Sequence, residues 1–393
     1  MNHYEYYAWV QLALTPYIGA ESFLNLIRFF GSAKQALAAS AEQIAHLVHH
    51  KQAAKEWDTG RELAKASADA ALKWSEGERC RLMLLGDEDF PLMLTEGLTP
   101  PPLLFLRGNP ELLCRPSVSI VGSRHATPQA MRIAHDFAQT LSQQGIGVVS
   151  GMASGIDTAA HQGALAGDGG TVAVWGTGID RIYPQSNQKL AYQIAEKGLI
   201  VSEFPLGTRP LAGNFPRRNR LIAALGQASL VVEAALESGS LITAKLAADM
   251  GREVMAVPGS IDNPHSKGCH KLIKEGAKLV ESLEDILQEC PRLLQKPQVS
   301  SYSIYRQSES RQSQDSSAEQ KEDNFISKCL SEKHNKKEAE SLLERMGYAP
   351  VHPDSLAEQL LMATADVYAL LLEMELDGIV AAMPGGRYQR IAK

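Results

Sequence analysis

The sequence predicts an α/β fold built on a mostly parallel β-sheet, with a small helical region before it and a second small module of helices and a two-stranded hairpin after it. Three observations carry this. Between residues 117 and 290, short Val/Ile/Leu runs alternate with glycine-bearing loops and amphipathic helical patterns, and strands apolar throughout belong to parallel sheets covered on both faces. Residues 1–75 place apolar side chains at helical spacing with turn signals between them, which reads as short helices. Residues 324–393 return to helical spacing and close on Gly378-Ile379-Val380, a Pro384-Gly385-Gly386 turn and Arg387-Tyr388-Gln389-Arg390-Ile391, the outline of a winged helix. The fold expected is an extended Rossmann-like parallel sheet core between a helical and a winged-helix-like domain.

The helical domain is expected over residues 1–75, with Leu12, Leu14, Ile18, Phe23, Leu26, Ile27 and Phe30 forming its apolar face and Gly19 and Gly31 interrupting it. A P-Y-I-G turn there is similar to helix-hairpin-helix DNA-binding modules but lacks their second glycine and nearby bases, so scaffolding or partner contact is the alternative reading. Residues 76–295 form the core domain. It opens on two strands, residues 82–85 and 103–106, which extend the sheet and are joined by an acidic loop and Pro100-Pro101-Pro102. The parallel strands follow at residues 118–121, 147–149, 172–175, 199–201, 230–232, 254–257 and 278–280. Thr127 before Pro128 suits a helix start, and Gly145 a helix end. Residues 296–323 turn to Ser, Gln, Glu, Lys and Arg, the composition of a flexible linker. In the last domain, residues 324–393, Arg387 and Arg390 of the wing suit phosphates, whereas Asp366, Glu373, Glu375 and Asp377 on the preceding helix oppose a major groove, leaving protein contact and duplex binding both open.

At 393 residues and 44% hydrophobic, the chain can bury two or three domain cores. A formal net charge of −6 excludes general histone-like coating of DNA but not a local basic groove. No apolar run approaches the roughly 20 residues of a membrane span, and Glu5 stands where a secretion signal carries base, so a cytoplasmic protein with no membrane contact is expected. Five scattered cysteines with no C-x-x-C pair indicate neither a disulfide framework nor a zinc site.

The chemistry concentrates in residues 204–220, F-P-L-G-T-R-P-L-A-G-N-F-P-R-R-N-R, with four arginines and no acid. Guanidinium groups suit phosphate oxygens and phenylalanine offers a face for a base. The cluster is expected in a loop at the carboxyl end of a strand, with a helix starting near Pro216. Further strand-to-helix loops bring Gly122, Ser123 and Arg124; Ser150, Gly151 and Gly155; Gly176 and Gly178; and Ser238, Gly239, Ser240 and Thr243. Their N–H groups and hydroxyls are candidate anion acceptors near helix starts. No G-x-x-x-x-G-K-[ST] and no G-x-G-x-x-G occurs, which disfavours P-loop hydrolysis and dinucleotide binding. His161, one turn after Asp157, can pair with it, although a structural histidine is the simpler reading. His265, Cys269 and His270 are too few for a metal site, so neither metal nor cofactor is expected.

These residues make the chain resemble the DNA-processing protein A (DprA, also Smf) family. The matching motifs are G-S-R at residues 122–124, S-G-M-A-S-G-I-D at 150–157, G-T-G-I-D-R-I-Y-P at 176–184, F-P-R-R-N-R-L-I-A at 215–223, E-S-G-S-L-I-T-A at 237–244 and V-P-G-S at 257–260. His270 departs from the family's usual asparagine. The resemblance implies a non-catalytic protein that binds single-stranded DNA in a basic pocket, dimerises through the Rossmann-like domain and loads the recombinase RecA on DNA taken up in natural transformation. By motif it assigns Arg124, Phe215, Pro216, Arg218, Asn219 and Arg220 to the strand, with Arg209 on the approach and Arg217 between them. Met255, Leu272, Ile273 and Val280 are candidate dimer residues, equally readable as core. The competing enzyme is a Lonely-guy-type nucleotide phosphoribohydrolase, whose P-G-G-x-G-T-x-x-E signature is not present. A third class is a pure assembly adaptor.

Overall fold

Apolar side chains every third or fourth residue, interrupted by turn formers, make the first 75 residues a chain of helices: α1 (His3–Ala13), α2 (Ala20–Phe30), α3 (Ala33–Ala38), α4 (Ala41–Ile44), α5 (Lys51–Lys55) and α6 (Trp57–Ser75). The computed structural model describes residues 3–294 and, beyond them, Met346, Val351, Leu356, Val367, Leu371, Met374 and residues 379–383 and 387–390. It divides into two units, residues 1–308 and 309–393. The linker expected at residues 296–323 lies outside the described residues.

Gly31, at φ 81°, closes α2 by donating its N–H to Ile27 O, and Ser40 caps α4 through a reciprocal pair with Gln43. The P-Y-I-G hairpin joins α1 to α2, and Tyr17 there takes a φ of 63°, a conformation otherwise natural to glycine. Trp9, Phe23 and Trp57 fill the helical core. That core continues into the sheet: Trp9 Nε1 donates to Pro102 O at 2.8 Å, and the Trp74 ring meets Phe105 edge-on at 5.5 Å.

The sheet has nine strands. β1 (Cys80–Leu84) and β2 (Leu103–Gly108) form an antiparallel hairpin, and β2 also runs antiparallel to β6. The remaining strands are parallel: β3 (Ser117–Val121), β4 (Gly147–Ser150), β5 (Thr171–Val174), β6 (Leu199–Ser202), β7 (Ala228–Val231), β8 (Glu253–Ala256) and β9 (Lys278–Leu279). Their order is β1-β2-β6-β5-β4-β3-β7-β8-β9. The chain therefore winds outward from β3 to β6 and restarts at β7 on the other side of β3. The crossovers are α7 (Pro128–Gln143), α8 (Ile156–Ala164), α9 (Gln188–Lys197), α10 (Asn214–Leu225), α11 (Gly239–Asp249) and α12 (Lys267–Lys274), with α13 (Leu283–Glu289) after β9. Thr127 caps α7 by accepting from Ala130 N at 3.2 Å. Met255 and Val280 are fully buried beneath the β7–β9 side, which removes them from the candidate dimer surface. Leu272 and Ile273 are half-buried.

In the second unit, β10 (Val380–Met383) pairs antiparallel with β11 (Arg387–Arg390), the expected wing. Met346, Leu356, Val367, Leu371, Met374 and Val380 form its core. Asp366, Glu373, Glu375 and Asp377, the acids expected to oppose a major groove, lie outside the described residues.

Candidate nucleic-acid interface

At the carboxyl ends of β4 and β5, a cleft of about 70 Å³ opens between the glycine loops and the start of α10. Pockets that enclose a small molecule run to about 300–1,000 Å³, so this is a surface strip and not a cofactor cavity. Phe215, half-exposed, is its centre. The guanidinium of Arg124 stands 5.6 Å from the Phe215 ring centroid and that of Arg218 5.9 Å from it, both within cation–π range. The Tyr183 ring adds a second surface, 5.6 Å from Phe215 and 46% exposed. Sequence reasoning quoted Tyr183 within G-T-G-I-D-R-I-Y-P without weighing its ring.

The strip is not where an open α/β sheet places its ligand. The strand order turns between β3 and β7, and a crevice at such a switch point is the usual site. Here the buried Glu233 closes it: its carboxylate accepts from Thr127 N at 3.0 Å and Thr127 Oγ1 at 2.9 Å, and its carbonyl accepts from Ser123 N at 2.6 Å. Ser240 Oγ reinforces the closure by donating to Gly122 O at 2.8 Å.

The four arginines of residues 204–220 have four different environments. Arg209 is exposed and makes no ion pair or hydrogen bond among the described residues; the neighbouring Thr208 O accepts from Gly178 N at 3.1 Å, tying this segment to the β5 loop. Arg218 is 4% exposed: one guanidinium nitrogen donates to Gly151 O and Val174 O, and Nε donates to Asn219 Oδ1 at 3.1 Å. Burial pushes the Arg218 pKa down to about 10, with Asp157 opposing the shift. Arg217 and Arg220 both meet Glu203, at 3.3 Å for Arg217 Nε and in direct contact for Arg220. The absence of acid within the stretch thus misled by one residue, since Glu203 immediately precedes it. The helix expected near Pro216 begins two residues earlier: α10 starts at Asn214, and Pro216 is tolerated because a first-turn N–H has no helical acceptor.

The glycine loops are anion acceptors whose donors are already used. Gly151 N and Ala153 N donate to Asp157 Oδ2 at 3.1 and 3.2 Å, so the β4 loop holds its own carboxylate. Burial raises the Asp157 pKa, against the pull of Arg218 and those N–H groups. Gly176 and Gly178 are buried, and a Cβ on Gly176 would lie 2.9 Å from the Phe215 ring, so this glycine makes room for the ring. A Cβ on Gly155 would strike Ser123 O, and one on Gly122 would strike Ile156; both pack loop on loop. Ser150 and Thr243, at 0% and 1% exposure, correct the expectation of direct contact; Ser150 Oγ donates to Ile120 O at 2.7 Å instead. Ser238 caps α11 by accepting from Ser240 N at 3.2 Å, and Gly239 opens that helix at the surface. His161 bonds Thr171, not Asp157. Thr171 Oγ1 gives its proton to Val148 O at 2.8 Å, so His161 Nδ1 donates in their 2.7 Å contact, leaving Nε2 buried and unpartnered. Burial, then Arg218, pushes the His161 pKa down to about 3. His270 Nε2 lies 2.9 Å from Gly259 O.

What remains accessible at the cleft is Arg124 beside the Phe215 and Tyr183 rings; Arg209, on the segment leading into α10, and Arg217, in its first turn, are also exposed. No helix among the described residues is long and apolar enough to cross a membrane.

A family model described as DNA recombination-mediator protein A matches residues 81–291, one described as DprA winged helix domain matches residues 330–386, and one described as DprA-like N-terminal HHH domain matches residues 3–64. Protein Smf of Escherichia coli (strain K12) is 37% identical over 334 residues, 84% of this chain and 82% of its own length. The DNA processing protein DprA of Streptococcus pneumoniae is 47% identical over 203 residues, 52% of this chain and 72% of its own length. The X-ray structure of DNA processing protein A from Streptococcus pneumoniae matches with a TM-score of 0.63 at 36% identity, covering 74% of this chain and 98% of that one.

Proposed function

We propose, from the premise that the chain belongs to the DNA recombination-mediator protein A family, that it binds single-stranded DNA along the Arg124–Phe215–Tyr183 strip. The observation that carries this is the pair of accessible rings, Phe215 half-exposed and Tyr183 exposed, flanked by Arg124, a cation without a carboxylate partner among the described residues. Every base has a face that stacks on such rings, while a duplex keeps its bases stacked on each other and offers no free base face within its length. Arg124 and Arg209 take phosphate charge directly; Asp157, Arg218 and the glycines hold the loops that carry them.

The role that follows is that of a cytoplasmic mediator: it covers incoming single strands and delivers them to RecA during recombination and natural transformation, acting as a homodimer through the sheet domain. These parts of the proposal rest on the resemblance. The protein acts here as a binder, not as an enzyme. A fluorescent single strand challenged with unlabelled single strand or duplex of the same sequence tests the reading. Single strand should displace the probe at a concentration at least tenfold below duplex; equal competition contradicts it. Release of free base from nucleoside monophosphates would transfer the site to the phosphoribohydrolase class.

A further inference from the structure

Glu203 ends the chain's passage out of β6 and is one of the few acids next to the strip. Its side chain is 4% exposed, against 54% for Arg217 and 20% for Arg220. Arg220 is held on its inner side as well, donating to Thr99 O at 3.1 Å. Glu203 Oε1 is buried and accepts no hydrogen bond, so the Arg217 charge 3.3 Å away is what compensates that oxygen. The Arg217 guanidinium in turn lies 5.3 Å from the Phe204 ring centroid, which limits where it can swing.

We propose that Glu203 is an internal counter-ion that competes with nucleic-acid phosphate for Arg217 and Arg220, so that the three side chains present one net positive charge to the strand instead of two. This rests on the single-strand reading above and sets the strength and salt sensitivity of that same site. A buried carboxylate keeps its pairing even at high salt, because ions screen it less than they screen an exposed charge. Arg217, the outermost of the three, shares its charge between Glu203 and a passing phosphate. The cluster thereby limits affinity, a useful property in a protein that must later surrender its strand.

The test is the slope of log affinity against log salt for labelled oligo-dT, measured on the full chain. Glu203→Gln, which keeps the shape and removes the charge, should steepen the slope by about 0.7 and tighten binding several-fold at low salt. Arg220→Gln should flatten the slope by about 0.7, because Glu203 then cancels Arg217 outright. The double variant should return to the wild-type slope. The comparison of Arg220→Gln with the double variant decides the matter even if Glu203→Gln alone does not fold: a competing Glu203 makes the double variant steeper than Arg220→Gln by about 0.7, and equal slopes in the two overturn the proposal. Unchanged slopes in the variants overturn the counter-ion proposal alone; a wild type that binds no single strand overturns the reading on which it rests, and the proposal with it.

Discussion

Arg124 and Arg218 flank the same phenylalanine and do opposite work. Arg218 is buried, donates to the carbonyls of Gly151 and Val174 and lies near the buried Asp157, so Arg218→Ala leaves those acceptors unpaired and should lower the melting temperature, at about 1–3 kcal/mol per stranded group. Arg124→Ala removes an exposed cation and should leave the melting temperature unchanged while weakening binding; a large stability loss there would contradict the assignment. Lost binding in Arg218→Ala is therefore read only beside its melting curve. His161 carries a pH signature. Its pKa is held near 3 in the folded chain against about 6.5 when unfolded, so below pH 6.5 the unfolded state takes up a proton that the folded state refuses. Stability should fall by about 1.4 kcal/mol per pH unit between those values from this group alone. His161→Gln should flatten that acid limb in urea melts, and an unaltered limb would mean the imidazole titrates elsewhere. Arg218, expected at the DNA strand, is instead buried: with Leu221, Ile222 and Leu225 it forms the core-facing stripe of α10, a spacing that the reading of the basic motif passed over. Glu203 was missed because the basic stretch was read from Phe204 onward.

Among elements, the strands of the sheet were readable to within a few residues, since the central ones are largely apolar and bounded by glycine or polar turns. The loops were readable as loops but not in the destination of their donors. Glu233, which closes the switch-point crevice, bonds a threonine 106 positions away, and no local pattern announces such a partner. Ser150, Asp157 and Thr243 likewise spend their polarity inside the fold. Gly176 offers a direct probe of how a loop serves the strip. In Gly176→Ala the new methyl would meet the Phe215 ring at 2.9 Å and push it off its place between Arg124 and Tyr183. Loss of one stacking platform, worth about 1–3 kcal/mol, should reduce single-strand affinity roughly tenfold, with the salt slope intact because no charge is removed. A changed slope at unchanged affinity would contradict that division of labour between ring and cation.

Over the whole molecule, the order of domains followed from composition and periodicity, but their degree of independence did not. The helical region ends at Ser75 as its pattern suggests, yet Trp9 and Trp74 close over Pro102 and Phe105, so the helices share one core with part of the sheet, while a second core lies around Val118, Ile120 and Met255. A contact between residues about 93 positions apart cannot be seen in local spacing. The acidic balance of the chain also hides the proposed binding chemistry, whose cations Arg124 and Arg209 have no carboxylate partner among the described residues. The account therefore stands most directly on one measurement, fluorescence anisotropy of labelled oligo-dT across a salt series for the wild type and Arg124→Ala. It predicts wild-type binding that weakens steeply with salt and a variant slope shallower by about 0.7, one phosphate contact fewer. Wild-type affinity indifferent to salt, or an Arg124→Ala variant that binds as the wild type does, would contradict it.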